Sequence, residues 1–195
     1  MLLRIYQQQV AYSGKAVLLG FQDIQVVLKE IESGSWPVNT DRLWYGVQNL
    51  IVGAGNLSKT LWGTGRNETE RQRRYSARQP LRDSLLVRDA SPLRKVTIRN
   101  DYEHLDERIE EWWETSPDHN IADMTIGPRD SFALLGSEKS VMRLLDPTTG
   151  EVTFWGNELN IPSIVNEVHR ILPIAEAESR KPHWNTNHST SGGGG

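Results

Sequence analysis

The sequence predicts a mainly α fold: a four- to five-helix bundle followed by a small β-hairpin and one more helix. Three observations carry this. Apolar residues recur at three- and four-residue spacings through the first two thirds of the chain. Hydroxyl, Pro and Gly residues stand where such segments should start and stop. After Pro117 the spacing changes to short runs rich in β-formers. The 195 residues divide as a helical bundle over 1–116, a hairpin and helix packed on it over 117–179, and a polar tail over 180–195 that is expected to be disordered.

Residues 2–32 keep helical spacing, so one long helix is expected, ended by "SGSWP". Thr40 and Asp41 are hydroxyl and carboxylate caps for a second helix, in which Leu43, Val47, Leu50, Ile51, Ala54, Leu57 and Leu61 form the apolar stripe. From Gly63 to Pro80 the text "GTGRNETERQRRYSARQP" is Arg-rich and apolar-poor, an exposed loop or a short polar helix. "LRDSLLVRDA" follows as a short apolar helix. Ser91 and Pro92 then give a hydroxyl N-cap and a proline at the first helical position, where its missing N–H costs nothing. A helix from Leu93 to Trp113 is expected, stopped by "TSP" at 115–117. "SFALLG", "SVMRLL" and "EVTFWG" read as strands, the last two joined by "DPTTG", a turn with Pro and Gly where turns favour them. Asn160 to about Ser179 resumes helical spacing, with Pro173 expected to kink or end it.

Composition excludes several chemistries. There is no cysteine, which removes disulfides, thiolate zinc sites and cysteine nucleophiles together and suits a reducing cytoplasm. No apolar run reaches the roughly 20 residues of a membrane span. The net charge of −3 means that any nucleic-acid role would rest on a local basic patch. Walker-type, dinucleotide-binding and G-x-S-x-G patterns are absent, as is a histidine pair at zinc-binding helical spacing. Asp101 and His104 stand three apart like half of a di-iron pair, but no second copy exists in the sequence.

The stretch "RNDYEH", Arg99 to His104, is the chemical focus. On an unbroken wheel at about 100° per residue, Ile98, Tyr102, Leu105, Ile109, Trp112 and Trp113 form the core face. Arg99, Asn100 and His104 then fall on the opposite side. A solvated face, with Arg99 and Glu103 as an i,i+4 pair, would account for these residues. Their joint chemistry goes further: Arg is a fixed cationic fork for phosphate oxygens, His titrates near neutrality, and Asn both donates and accepts.

This run resembles the R-x4-H motif of the HEPN superfamily, in which an Arg followed by a polar residue and a His lie on the last main helix of a four- or five-helix bundle. The resemblance covers 1–116 as architecture and Arg99, Asn100 and His104 as motif. It implies an endoribonuclease that needs no metal or other cofactor, working as a homodimer through the face that carries Arg99 and His104. In such a site His104 moves protons, Arg99 stabilises transition-state charge and Asn100 orients either group. Enzymes of this kind commonly serve as toxins or in phage defence, so an antitoxin or defence-system partner is expected too. A catalytically silent bundle that binds a nucleotide, RNA or a protein would keep the same fold and dimer. Arg66, Arg71, Arg73, Arg74, Arg78 and Arg82, with Tyr75 among them, are an electrostatic funnel for RNA with one stacking surface, or equally a solubilising loop interrupted by Glu68 and Glu70. Against the RNA reading stand Asp106, Glu107, Glu110, Glu111, Glu114 and Asp118, which would repel a polyanion.

Overall fold

A computed structural model describes residues 1–117, 119–131 and 140–182. Its frame is a helical hairpin. Helix α1 runs Leu2–Glu32 and α2 runs Thr40–Trp62, the latter opened by Asn39, whose side chain accepts from the Arg42 N–H at 3.0 Å. The helices are antiparallel, since Gly20 meets Gly46 and Leu50 whereas Val17 and Ser13 meet Gly53. Glycine is required at this crossing: a Cβ on Gly20 would lie 2.4 Å from the Gly46 carbonyl oxygen. The close approach lets Val17, Val47, Leu50 and Ile51 interlock with no exposure, each side chain worth about 2 kcal/mol of burial.

Short elements follow. Helix α3 (Glu68–Ala77) is the short polar helix that the Arg-rich text allowed, capped by Asn67, whereas the helix expected over "LRDSLLVRDA" is shorter and earlier, α4 (Gln79–Ser84), with residues 85–90 in turns and coil. Ser91 does cap a proline-led turn, its hydroxyl accepting from the Leu93 N–H at 3.4 Å, but only a 3₁₀ turn over Pro92–Arg94 results. The long helix expected from Leu93 to Trp113 is instead two: α5 (Ile98–Glu103) and α6 (Leu105–Thr115), broken at His104, which has φ −115° and ψ 39°. Lys95, with φ −122° and ψ 74°, interrupts the start, where β-branched Val96, Thr97 and Ile98 follow in sequence. The break redirects α6, so the unbroken wheel assigns its faces incorrectly. Trp112 is buried as expected, but Ile109 and Trp113 are 41% and 57% exposed.

The C-terminal part holds a four-stranded sheet in the order β1-β2-β3-β4, larger than the expected hairpin. β1 (Thr125–Ile126) pairs parallel with β2 (Arg143–Asp146), which runs antiparallel to β3 (Glu151–Phe154), itself antiparallel to β4 (Asn157–Asn160). The "DPTTG" turn joins β2 to β3 as expected. The strand expected over "SFALLG" lies, beyond Ser131, outside the described residues. A two-residue turn, Trp155 at φ 41° and Gly156 at φ 83°, closes β3 on β4. Asn160 then caps α7 (Ile161–Arg180), which runs through Pro173 rather than ending there. α7 lies antiparallel along α1, with Val168 and Leu172 against Gly14 and Arg4 bonded to the Glu178 carbonyl at 2.6 Å. One core therefore extends from Val10 of α1 to Ala175 of α7, and Tyr102 stacks on Phe154, ring centroids 4.8 Å apart, to tie α5 to the sheet. Of the tail, residues 183–195 lie outside the described residues. Among the described residues no helix is long and apolar enough to cross a membrane.

Candidate functional site

The structure places Arg99, Asn100 and His104 around one short helix and its end. His104 terminates α5: its N–H donates to the Asn100 carbonyl at 3.0 Å, and its own carbonyl accepts from the Arg108 N–H at 3.0 Å to begin α6. Its ring is exposed, with Nδ1 3.2 Å from a Glu107 carboxylate oxygen. Asn100 is exposed as well, and its side-chain amide has no hydrogen bond among the described residues. Both fit the outward face expected of them.

Arg99 does not. Only 11% of its side chain is exposed, because it lies against α2 at Gly55. A Cβ at Gly55 would fall 1.9 Å from Arg99 Cδ, so this glycine is the seat of the arginine. The guanidinium reaches Glu103 through Nη2 at 2.5 Å, and the other oxygen of Glu103 lies 3.5 Å from Lys59 Nζ on α2. Nε and Nη1 are buried without an acceptor among the described residues. A buried donor left unpaired costs about 1–3 kcal/mol, so this guanidinium is under-satisfied as it stands. Nothing in the sequence marks Gly55 and Lys59 as neighbours of this pair. The Arg99–Glu103 pair was visible as an i,i+4 spacing, but nothing in "GAGN" indicates which side chain fills the space at Gly55.

Asp101, within the same motif, turns the other way. It is 4% exposed and accepts from Arg108 Nε at 3.2 Å and from Asn157 Nδ2 of β4 at 2.8 Å. Arg108 Nη1 donates to Glu111 at 2.8 Å. Asp101 and His104 thus engage different partners and do not converge as a di-iron half-site would. Beside Asp101 opens a cavity of about 190 Å³, lined by α5, α6 and the β3–β4 turn, with Trp112 and Trp155 in its wall.

The Arg-rich stretch divides by function. Arg82 is buried, donating to the Leu61 carbonyl at 2.8 Å, the Tyr75 carbonyl at 3.1 Å and Gln79 Oε1 at 2.6 Å, so it belongs to the core and not to a funnel. Tyr75 is half-buried. Its hydroxyl donates to Asp89, and its ring already carries the guanidinium groups of Arg82 at 4.2 Å and Arg94 at 5.6 Å, leaving it a poor stacking surface for a base. That bond, with one from the Trp62 indole, holds the Asp89 carboxyl below its usual range. Arg71 and Arg74 pair with Glu68 and Glu70, and Arg78 covers the Tyr6 ring at 3.7 Å. Arg66 and Arg73 remain exposed with no side-chain ion pair among the described residues. No protein-family model, curated protein or solved structure matches this chain.

Proposed function

We propose that the protein is a metal-independent endoribonuclease of the HEPN type, acting as a cytoplasmic homodimer through the face that carries Asn100 and His104. The observation that supports this best is an exposed imidazole at the end of α5, five residues after a guanidinium whose Nε and Nη1 lack acceptors among the described residues. A phosphate oxygen is a natural partner for such a fork.

In the reaction, His104 of one subunit accepts the proton of an RNA 2′-hydroxyl. The 2′-oxygen attacks the adjacent phosphorus, and the phosphorus–5′-oxygen bond breaks as His104 of the partner subunit protonates the leaving 5′-oxygen. The products are a 2′,3′-cyclic phosphate and a 5′-hydroxyl. Arg99 stabilises the extra charge on the pentacoordinate phosphorus, which requires the Glu103 contact to yield. Asn100 orients phosphate or imidazole. Arg66 and Arg73 supply phosphate attraction at longer range. A toxin or defence role, with an antitoxin that holds it in check, follows from the same reading.

A second reading is favoured by one observation: both motif residues are held by carboxylates, Arg99 by Glu103 and His104 by Glu107. In that reading the bundle is silent and binds RNA or a protein. Incubation of the protein with mixed tRNA and mRNA in EDTA, beside Arg99→Ala and His104→Ala, separates the two. New cyclic-phosphate ends with the unsubstituted protein alone support the ribonuclease; intact RNA throughout refutes it.

A further inference from the structure

The cavity beside Asp101 and the charge of the helix that forms it are both unused by the ribonuclease reading. α6 carries five carboxylates, those of Asp106, Glu107, Glu110, Glu111 and Glu114, against the single cation of Arg108. At the cavity itself Asp101 and Glu111 face one guanidinium, which both already bind. The wall is therefore negative in sum, and it already coordinates a guanidinium by charge-assisted hydrogen bonds. Two indoles complete it, and tryptophan is the best aromatic surface for a cation.

The placement of Trp155 is the second observation. It holds the first position of the β3–β4 turn at φ 41°, where Asn or Gly sits without strain and a bulky residue does not. Backbone outliers of this kind gather at ligand clamps. The indole N–H groups of Trp155 and of nine-tenths-buried Trp112 also lack acceptors among the described residues. On the adjoining strip of α6, about 100° round the helix, Ile109 is exposed, as is the outer face of Trp113, whose other face stacks on His119 at 4.0 Å, the composition of a protein-binding surface rather than of a nucleic-acid one.

We propose that this cavity is a socket for an arginine side chain of a basic polypeptide partner. The guanidinium enters between the two indoles and the carboxylates of Asp101 and Glu111, and the partner's backbone lies over Ile109 and Trp113. This stands independently of the ribonuclease reading, and it gives the acidic helix a use that RNA cannot.

The test is titration of the full chain, followed by tryptophan fluorescence and calorimetry, with three probes: acetyl-Gly-Arg-Gly-amide, acetyl-Gly-Glu-Gly-amide and guanosine monophosphate. The arginine peptide alone should give a saturable response. Glu111→Gln, at an exposed position that cannot unfold the helix, should weaken it about tenfold. Trp155→Asn, which suits the turn and deletes the indole, should abolish it while far-ultraviolet circular dichroism is unchanged. A saturable response to guanosine monophosphate in place of the arginine peptide would make the cavity a base-binding site and overturn the proposal. So would the absence of any response to the arginine peptide, or full affinity in both variants.

Discussion

Gly55→Ala isolates the seat of Arg99 from everything else in the bundle. The new methyl would stand 1.9 Å from Arg99 Cδ and 2.9 Å from Cγ and Nε, where carbon atoms need about 3.5–4 Å. All three obstructing atoms belong to one flexible side chain, so Arg99 must leave its seat by about 2 Å while α2 and α5 keep their spacing. Alanine in place of glycine within a helix contributes roughly 1 kcal/mol. Ejecting the guanidinium gives up the half-exposed Glu103 pair, worth at most about 1 kcal/mol, and releases two nitrogens from burial without acceptors. Together these contributions predict a variant no less stable than the unsubstituted protein and up to a few kcal/mol more stable. Cleavage should nonetheless fall by about 10²–10³, the typical loss when one charge-stabilising donor is misplaced. Urea denaturation and RNA end-mapping on Gly55→Ala, Arg99→Ala and the double variant form the assay. In the double variant the clash is gone, so its stability should depart from the sum of the single changes. Additive stabilities, or a loss above about 2 kcal/mol in Gly55→Ala, would refute the seat. Unchanged stability together with full cleavage would refute the idea that Arg99 acts from it.

Tyr102→Phe should be neutral or slightly stabilising near pH 7, because the buried hydroxyl it removes makes no well-formed hydrogen bond among the described residues, only a marginal approach to the Arg143 guanidinium. Burial pushes the Tyr102 hydroxyl up to about 12, only partly offset by the Arg143 guanidinium over its ring. The folded state therefore keeps a proton that the unfolded chain releases near pH 10. Stability should fall between about pH 10 and 12, by around 2 kcal/mol in all, and denaturant melts of Tyr102→Phe across that window should show a smaller decline. Arg82→Ala should cost about 3 kcal/mol or more, since it empties a buried volume and strips the Leu61 and Tyr75 carbonyls of their donor. Lysine should not rescue it, as a single ammonium cannot replace a planar fork; a loss below about 1 kcal/mol in a urea melt would show that water replaces those bonds easily.

Elements with strong periodicity and clear ends were legible from residue order. The stripe from Leu43 to Leu61 and the Asn160–Pro162 start of α7 are found where spacing puts them, although the cap of α2 is Asn39 and not Thr40 or Asp41. The breaks at Lys95 and His104 were not legible, because neither residue is a helix breaker and the interruption serves packing: it aims Asp101 at Asn157 of β4, some 56 residues away. Pro173 does not end α7, since the contacts that α7 makes along α1 outweigh one lost backbone bond. At the site, the three motif residues were visible by type and spacing, and Asn100 and His104 face outward as the wheel requires. The burial of Arg99 and Arg82 was hidden because long cationic side chains reach partners far along the chain.

The antiparallel contact of α1 with α7 bears on how the protein is made. The strip of α1 around Gly14 that receives Val168 and Leu172 has no cover until the ribosome has added residues 63–180, on the order of ten seconds after α2 is complete at ordinary elongation rates. During synthesis the α1–α2 hairpin is thus a finished object with one greasy flank open to the surroundings. The sheet and α7 act as the late closure of that flank, so slowed translation between β1 and α7 should favour aggregation of the nascent chain over misfolding within it.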